Sequence, residues 1–307
     1  MHNPECHQPR DEQLLHQLAE PATALFERHL EVTKEWYPFE DVPFDNARPF
    51  SSDLPWDPAE YNLPDGVRSA LIVNLLTEDN LPYYTTTLLG AVHADHPLSE
   101  WSRRWTAEEW RHSAAIRDWI LATRAVDPYK LERDRMVQMS GGIVPISPTA
   151  TEMFAYVSFQ ELATQVAHRN TARHLDRERH GKMVMSKVAG DEGLHHAFYR
   201  DLVAAALEID PDYMMVAIQR QLRNFRMPGQ GIPGFAEHEI AIAKSGIFDA
   251  EQFLDAVVRP TLSYWNLDEI EGLGEDGEIA RDRIKKNVIG LERLAGVQRR
   301  KLAESNA

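Results

Sequence analysis

Two Glu-x-x-His motifs, Glu109-x-x-His112 and Glu192-x-x-His195, are the residues in this chain best suited to chemistry. On a helix, residues three apart share a face, so each motif presents a carboxylate and an imidazole to one point in space. A lone glutamate precedes each motif by the same 31 residues, Glu78 before Glu109 and Glu161 before Glu192. A single Glu-x-x-His pair is what chance placement supplies in a chain with 13 histidines, so the repeated spacing carries more weight than either motif. Together the six side chains form the set with which a four-helix bundle holds two iron or manganese ions in its core. Four glutamates facing an apolar core cannot stay there ionised and unpaired, because desolvation costs several kcal/mol per ion. Two divalent ions balance the four charges, and hard oxygen plus imidazole donors suit iron or manganese. Cys6 is the only cysteine, which excludes a thiolate site.

The elements that must position these residues read as helices. Alternating strand patterns are scarce and helical spacing dominates, which predicts an all-α protein with an irregular, Pro-rich segment between Pro38 and Pro64. A helix from about Gly66 carries Glu78, and Pro82, four residues on, removes the partner of the Glu78 carbonyl, predicting a kink there. The next helix starts near Ser99, places Trp101, Trp105, Glu109, His112, Ile116 and Trp119 on one stripe, and ends before Asp127-Pro128. Ser140 to Pro148 reads as the long crossover of a ferritin-like bundle. A third helix, from about Ala150 to His174, aligns Phe154, Val157, Glu161, Thr164 and His168. A fourth, from about Gly181 to Leu207, carries Glu192 and His195. Further helical patterns cover Met214–Arg226 and Phe248–Tyr264, before a charged C-terminal helix. No domain boundary is evident, so residues 1–307 are expected to form one ferritin-like domain, with residues 1–12 flexible and 265–307 a charged extension.

Composition narrows the class. With 43% hydrophobic residues and seven tryptophans in 307 residues, the chain can bury a large core. No apolar run approaches a membrane span, and the polar N-terminus does not read as a signal peptide. One cysteine fits a reducing cytoplasm, and a net charge of −15 argues against nonspecific nucleic-acid binding.

The flanking residues resemble a known family. Thr77-Glu78-Asp79-Asn80-Leu81-Pro82, Trp105-Thr106-Ala107-Glu108-Glu109-Trp110-Arg111-His112, Phe159-Gln160-Glu161-Leu162-Ala163-Thr164, His168-Arg169-Asn170-Thr171-Ala172-Arg173 and Asp191-Glu192-Gly193-Leu194-His195 are similar to the soluble acyl-acyl carrier protein desaturases. The likeness runs from about Trp36 to Tyr264. It implies a ferritin-like homodimer that uses O2 and two electrons, usually from ferredoxin, to place a cis double bond in a saturated acyl chain on its carrier protein. By the same resemblance, Glu78, Glu109, His112, Glu161, Glu192 and His195 are ligands of two iron ions, with Glu109 and Glu192 bridging. Thr164 corresponds to a hydroxyl that assists proton delivery, and Trp56, Asp191 and His112 to an electron path. Met153 and Gly90 fall at tunnel-lining positions, Met153 in place of a smaller residue. The second ligand motif departs from the usual Asn-Arg-His-Gly, reading Trp110-Arg111-His112-Ser113.

Plainer readings stand beside these. Glu109 could close a capping box begun by Thr106, and Thr164 could merely bond the carbonyl of Gln160. Trp56 could be packing, Phe154, Tyr156 and Phe159 plain core, and His196 faces away from the ligand stripe; His168 stays open. An acidic carrier needs a basic docking surface, for which Arg220, Arg223 and Arg226, or Arg169 and Arg173, are the candidates. A ribonucleotide-reductase-like radical subunit shares the ligand plan but places a tyrosine one turn after the first motif, where this chain has Ile116. The alternative to desaturation is a di-iron storage or ferroxidase-like protein without desaturase turnover.

Overall fold

The computed structural model describes residues 8–47, 50, 55–144, 147 and 149–305; Cys6 and parts of the Pro38–Pro64 and Ser140–Pro148 segments lie outside the described residues. Among the described residues the chain is all helical. In order, the helices are α1 (Gln8–Gln17), α2 (Ala19–Val32), α3 (Pro38–Asp41), α4 (Asp65–Glu78), α5 (Leu81–Gly90), α6 (Pro97–Thr123) and α7 (Pro128–Gly141). There follow α8 (Ala150–His174), α9 (Arg179–Ile209), α10 (Pro211–Asn224), α11 (Phe235–Lys244) and α12 (Ala250–Gln252). A π-helical turn over Phe253–Val258 leads into α13 (Arg259–Trp265), and α14 (Glu275–Ser305) closes the described chain.

Local chemistry sets the helix bounds. Asp127 caps α7 ahead of Pro128 and Asp210 caps α10 ahead of Pro211, each accepting backbone N–H groups that the first turn leaves free. Thr149 does the same for α8 through the Glu152 N–H. At α4 the expected kink is a full break: α4 ends at Glu78 and α5 begins at Leu81, because Pro82 has no N–H to return to the Glu78 carbonyl and instead serves in the first turn of α5. The single amphipathic segment expected over 248–264 divides into α12, the π-turn and α13, where Pro260 again cannot donate to the preceding turn.

Helices α4, α6, α8 and α9 form the central bundle, with α8 and α9 the most extensively packed pair. The predicted α6 stripe from Trp101 to Trp119 is buried along its length. Gly181 lets α9 approach α6, since a Cβ there would stand 2.4 Å from Trp119 Cζ2. Outer helices complete the frame, α2 against α6 and α9, α11 against α4, and α14 along α10. The C-terminal segment is therefore part of the packed body, with Ala280 and Ile284 in the core. The expectation of a flexible segment through residue 12 is also corrected, because residues 8–12 start α1. Asp11 is buried and accepts the backbone N–H groups of Ala150 (3.0 Å) and Thr151 (3.1 Å) at the start of α8, and the Thr151 hydroxyl as well. A carboxylate there answers the partial positive charge of the helix N-terminus. No described helix is long and apolar enough to cross a membrane.

Asp11→Ala should lower unfolding free energy by about 2 kcal/mol, the worth of charge-assisted bonds to a helix terminus, read by urea denaturation.

Candidate metal centre

The four bundle helices bring all six predicted ligands to one buried point: Glu78 from α4, Glu109 and His112 from α6, Glu161 from α8, and Glu192 and His195 from α9. They fall into two overlapping groups, Glu78, Glu109, His112 and Glu192, and Glu109, Glu161, Glu192 and His195, each with one donor atom per residue within 4.8 Å of the others. Glu109 and Glu192 belong to both. Glu109 lies well inside α6, which removes the capping-box reading.

Both imidazoles turn Nδ1 inward. His112 Nδ1 lies 3.5 Å from Glu192 Oε1 and 3.7 Å from Glu109 Oε2, and His195 Nδ1 lies 2.8 Å from Glu109 Oε1. Yet His112 Nδ1, His195 Nδ1, Glu109 Oε1, Glu161 Oε2 and Glu192 Oε1 make no aligned hydrogen bond. Atoms this close, buried and unaligned with one another are donors converging on a shared centre, and this is the test that a metal pair passes.

The outward nitrogens are held by crossed acids. Asp191 precedes Glu192 on α9 but accepts from His112 Nε2 on α6 at 3.1 Å; Glu108 precedes Glu109 on α6 but accepts from His195 Nε2 on α9 at 2.9 Å. One residue is about 100° around a helix, so the acid before each ligand faces the neighbouring helix. Such carboxylate–histidine pairs fix which ring nitrogen is free for metal. Asp191 also accepts from Trp36 Nε1 (2.9 Å) and Arg111 (2.6 Å), and Glu108 from His29 Nε2 (3.0 Å) and Arg104 (2.6 Å).

The electrostatics show four carboxylates short of countercharge. Burial and neighbouring Glu109 push Glu78 up to about 8, and burial with Glu192 holds Glu161 well above the usual range. Burial would raise Glu192 too, but His112 and His168 keep it well below. Burial works to lower both ligand histidines, and their carboxylate partners overcome it, raising both well above the ordinary value. Glu108 is likewise held low by His195 and His29 against its burial. Bound metal would replace the protons that the terminal glutamates otherwise retain.

Other predicted residues sort by position. The Thr164 hydroxyl is 3.0 Å from Glu192 Oε2 as well as within reach of the Gln160 and Glu161 carbonyls, so it touches the cluster in addition to its own helix. His168, left open by the sequence, sits with Nε2 3.4 Å from both Glu78 and Glu192, which raise it to about 9 against the effect of burial. His196 turns away to the Ser158 carbonyl. Trp56 does not meet Asp191: its indole donates to the Arg124 carbonyl at 2.8 Å, and Trp36 occupies the expected place. Asp191 and His112 are joined as expected. Sequence reasoning missed Trp36, Glu108 and His29; the acid before both motifs was the available signal for Glu108.

Two cavities with part of their lining in common lie beside the cluster. A narrow one, about 60 Å³, runs between α5 and α8 past Tyr84, Leu88, Trp105, Met153, Tyr156 and Val157. A wider cleft of about 700 Å³ opens among α11, the π-turn and α14. Thr77, Glu78, Thr164 and Pro228 line both. Met153 lines the narrow cavity. Gly90 does not: it is exposed at the end of α5 and absent from the lining, because α5 presents Tyr84, Thr87 and Leu88 to the cavity instead. Phe154 and Phe159 are fully packed core. Arg220 is committed to buried Glu152 at 2.8 Å, Arg173 bonds Asn170, and exposed Arg226 borders the wide cleft.

A family model described as fatty acid desaturase matches residues 10–307. A Mycobacterium tuberculosis protein carrying the name acyl-acyl-carrier-protein desaturase DesA1 is 36% identical over 292 residues, 92% of this chain and 86% of that protein. A chloroplastic protein of Ophrys sphegodes named palmitoyl-acyl-carrier-protein 4-desaturase 3 is 29% identical over 273 residues, 82% of this chain and 68% of its own length. The X-ray structure of DesA2 from Mycobacterium tuberculosis superposes with a TM-score of 0.71 at 26% identity, covering 84% of this chain and 97% of that one.

The shared carboxylates give a stoichiometric prediction. The chain should take up two divalent ions, Glu161→Ala should retain one, and Glu109→Ala or Glu192→Ala should lose both, measured by metal analysis after loading. Uptake should release protons, so affinity in calorimetric titration should rise with pH.

Proposed function

This chain belongs to the fatty acid desaturase family, and we propose that it takes two hydrogens from adjacent carbons of a saturated acyl chain held on an acyl carrier protein, leaving a cis double bond. The redox balance is closed by O2, which needs four electrons to become two waters. Two come from the broken C–H bonds and two from an external donor, ferredoxin or a protein like it. Removing hydrogen from an unactivated methylene needs an oxidant stronger than any side chain, and a carboxylate-bridged pair of irons, or manganese, supplies that chemistry when bound.

The single observation that carries this reading is that Glu78 and Thr164, at the edge of the cluster, line both the narrow apolar cavity and the wide cleft. An acyl chain passing from the wide cleft into the narrow cavity would lie along the open edge of the cluster, its tail near Leu88, Met153 and Val157. The apolar lining binds it at about 0.8 kcal/mol per buried methylene and excludes water from the reacting carbons. A storage protein has no use for such a lining, and the relatives are named as desaturases.

Each side chain then has a task. Glu109 and Glu192, which belong to both ligand groups, would be shared by the two ions, while Glu78 with His112 and Glu161 with His195 would hold one ion each. The Thr164 hydroxyl holds or passes a proton at Glu192 Oε2. Trp36, Asp191 and His112 would form the path by which electrons enter: the Trp36 and His112 rings lie nearly parallel with centroids 6.4 Å apart, and Arg111 and Lys187 cover the indole. A single domain acting as a homodimer in a reducing cytoplasm completes the reading, on the family resemblance and the lone cysteine.

The test is mass spectrometry of acyl chains after incubating iron-loaded protein with stearoyl- and palmitoyl-carrier protein, ferredoxin, its reductase, NADPH and O2. The expected product is lighter by two hydrogens and disappears in Glu192→Ala. No product from protein with two reduced irons would contradict the assignment. Met153→Ala should move preference towards chains about two carbons longer by roughly tenfold, as two buried methylenes are worth about 1.6 kcal/mol.

A further inference from the structure

An imidazole that offers Nδ1 to a metal must carry its hydrogen on Nε2, so whatever receives that hydrogen fixes the ring. For His195 the receiver is Glu108 Oε2, and the same oxygen lies 3.0 Å from His29 Nε2. His29 comes from α2, outside the four ligand-bearing helices, and is 4% exposed. Its ring stands edge-on to Trp101 at 4.8 Å, which sets its plane. His29 Nδ1 has no hydrogen-bond partner. An unpaired buried acceptor is tolerated better than an unpaired N–H, so the tautomer with hydrogen on Nε2, aimed at Glu108, is the one this site favours.

On the opposite side, Trp36 donates to Asp191, which receives His112. His29 and Trp36 are seven residues apart, on α2 and the segment that follows it, so one short stretch of chain reaches both outward carboxylates. The two ends are not equivalent. The indole can only donate, whereas the imidazole donates in one tautomer and would confront Glu108 with a lone pair in the other.

We propose that His29 is a positioning residue for His195: its Nε2–H holds Glu108 so that Glu108 in turn holds His195 with Nδ1 towards the metal pair. The inference rests on the metal-centre reading above and extends it to a helix that contributes no ligand. Arg104 holds the other oxygen of Glu108 from a half-buried position, leaving His29 as the one fully buried donor that joins His195 on Glu108 Oε2.

The test uses full-length protein loaded with Co(II), followed by proton NMR in water and by competition titration. Wild type should show two strongly shifted, solvent-exchangeable imidazole N–H resonances, one from each ligand histidine. His29→Leu keeps apolar bulk but removes the donor. It should lose one resonance to faster exchange and weaken one of the two ions about 10–100-fold, leaving the other unchanged. His29→Gln, whose amide N–H reaches a similar position, should restore the lost resonance, and Trp36→Phe should affect the other one. A His29→Leu protein with both resonances and both affinities as in wild type would overturn the inference alone, as would equal loss at both sites. Wild-type protein that takes up no cobalt would overturn the metal reading and this inference with it. If His29→Leu fails to fold, His29→Asn, whose shorter amide cannot span to Glu108, carries the same expectation.

Discussion

Carboxylates in an apolar interior must find positive charge or take up protons, and this bundle buries four at one point. Isolated burial of that kind costs several kcal/mol per charge, far more than a marginally stable fold can carry without compensation. The two imidazoles offset part of it, which is why Glu109 and Glu192 stay low while Glu78 and Glu161 are driven up. With both imidazoles neutral, as ligation through Nδ1 requires, the four carboxylate charges would match those of two divalent ions. Most other polar features of the core follow from that imbalance: Trp105 donates to Glu161, Thr164 to Glu192, and the crossed acids hold the histidines from behind.

The crossing of Glu108 and Asp191 also explains why the outer chain matters. Each acid needs further donors once its histidine is fixed, and these come from α2, from the segment after it and from arginines at the bundle surface. The cavities use the opposite edge of the cluster, where α4 breaks at Glu78 and α8 presents Thr164 and Met153. The proposed metal support and the proposed substrate space are thereby separated, one towards α2 and the other towards α5, α11 and α14.

Much of this was legible in the sequence wherever a local rule sufficed. Helical patterns from about Ala150 and from Met214 located α8 and α10, and the three-residue Glu-to-His spacing placed the proposed ligands on single faces, whereas α7 went unread because its apolar residues follow no clear stripe. What local rules could not reach was long-range placement. Trp36 rather than Trp56 meets Asp191 because the irregular segment between α2 and α4 has no period from which to infer its path. His29 was unreadable for the same reason: its partner is 79 residues away. Gly90 was assigned to the cavity by position, but the turn of α5 that faces inward is the one carrying Tyr84, Thr87 and Leu88. Polarity suggested a loose N-terminus, whereas Asp11 is polar because it caps α8.

If the six convergent side chains hold two metals with Glu109 and Glu192 common to both, anomalous diffraction at the iron edge from iron-loaded crystals will show two iron peaks per chain within the α4, α6, α8 and α9 bundle, each beside one histidine Nδ1 and both touching Glu109 and Glu192. A single peak, or iron bound elsewhere with these side chains unliganded, would contradict it.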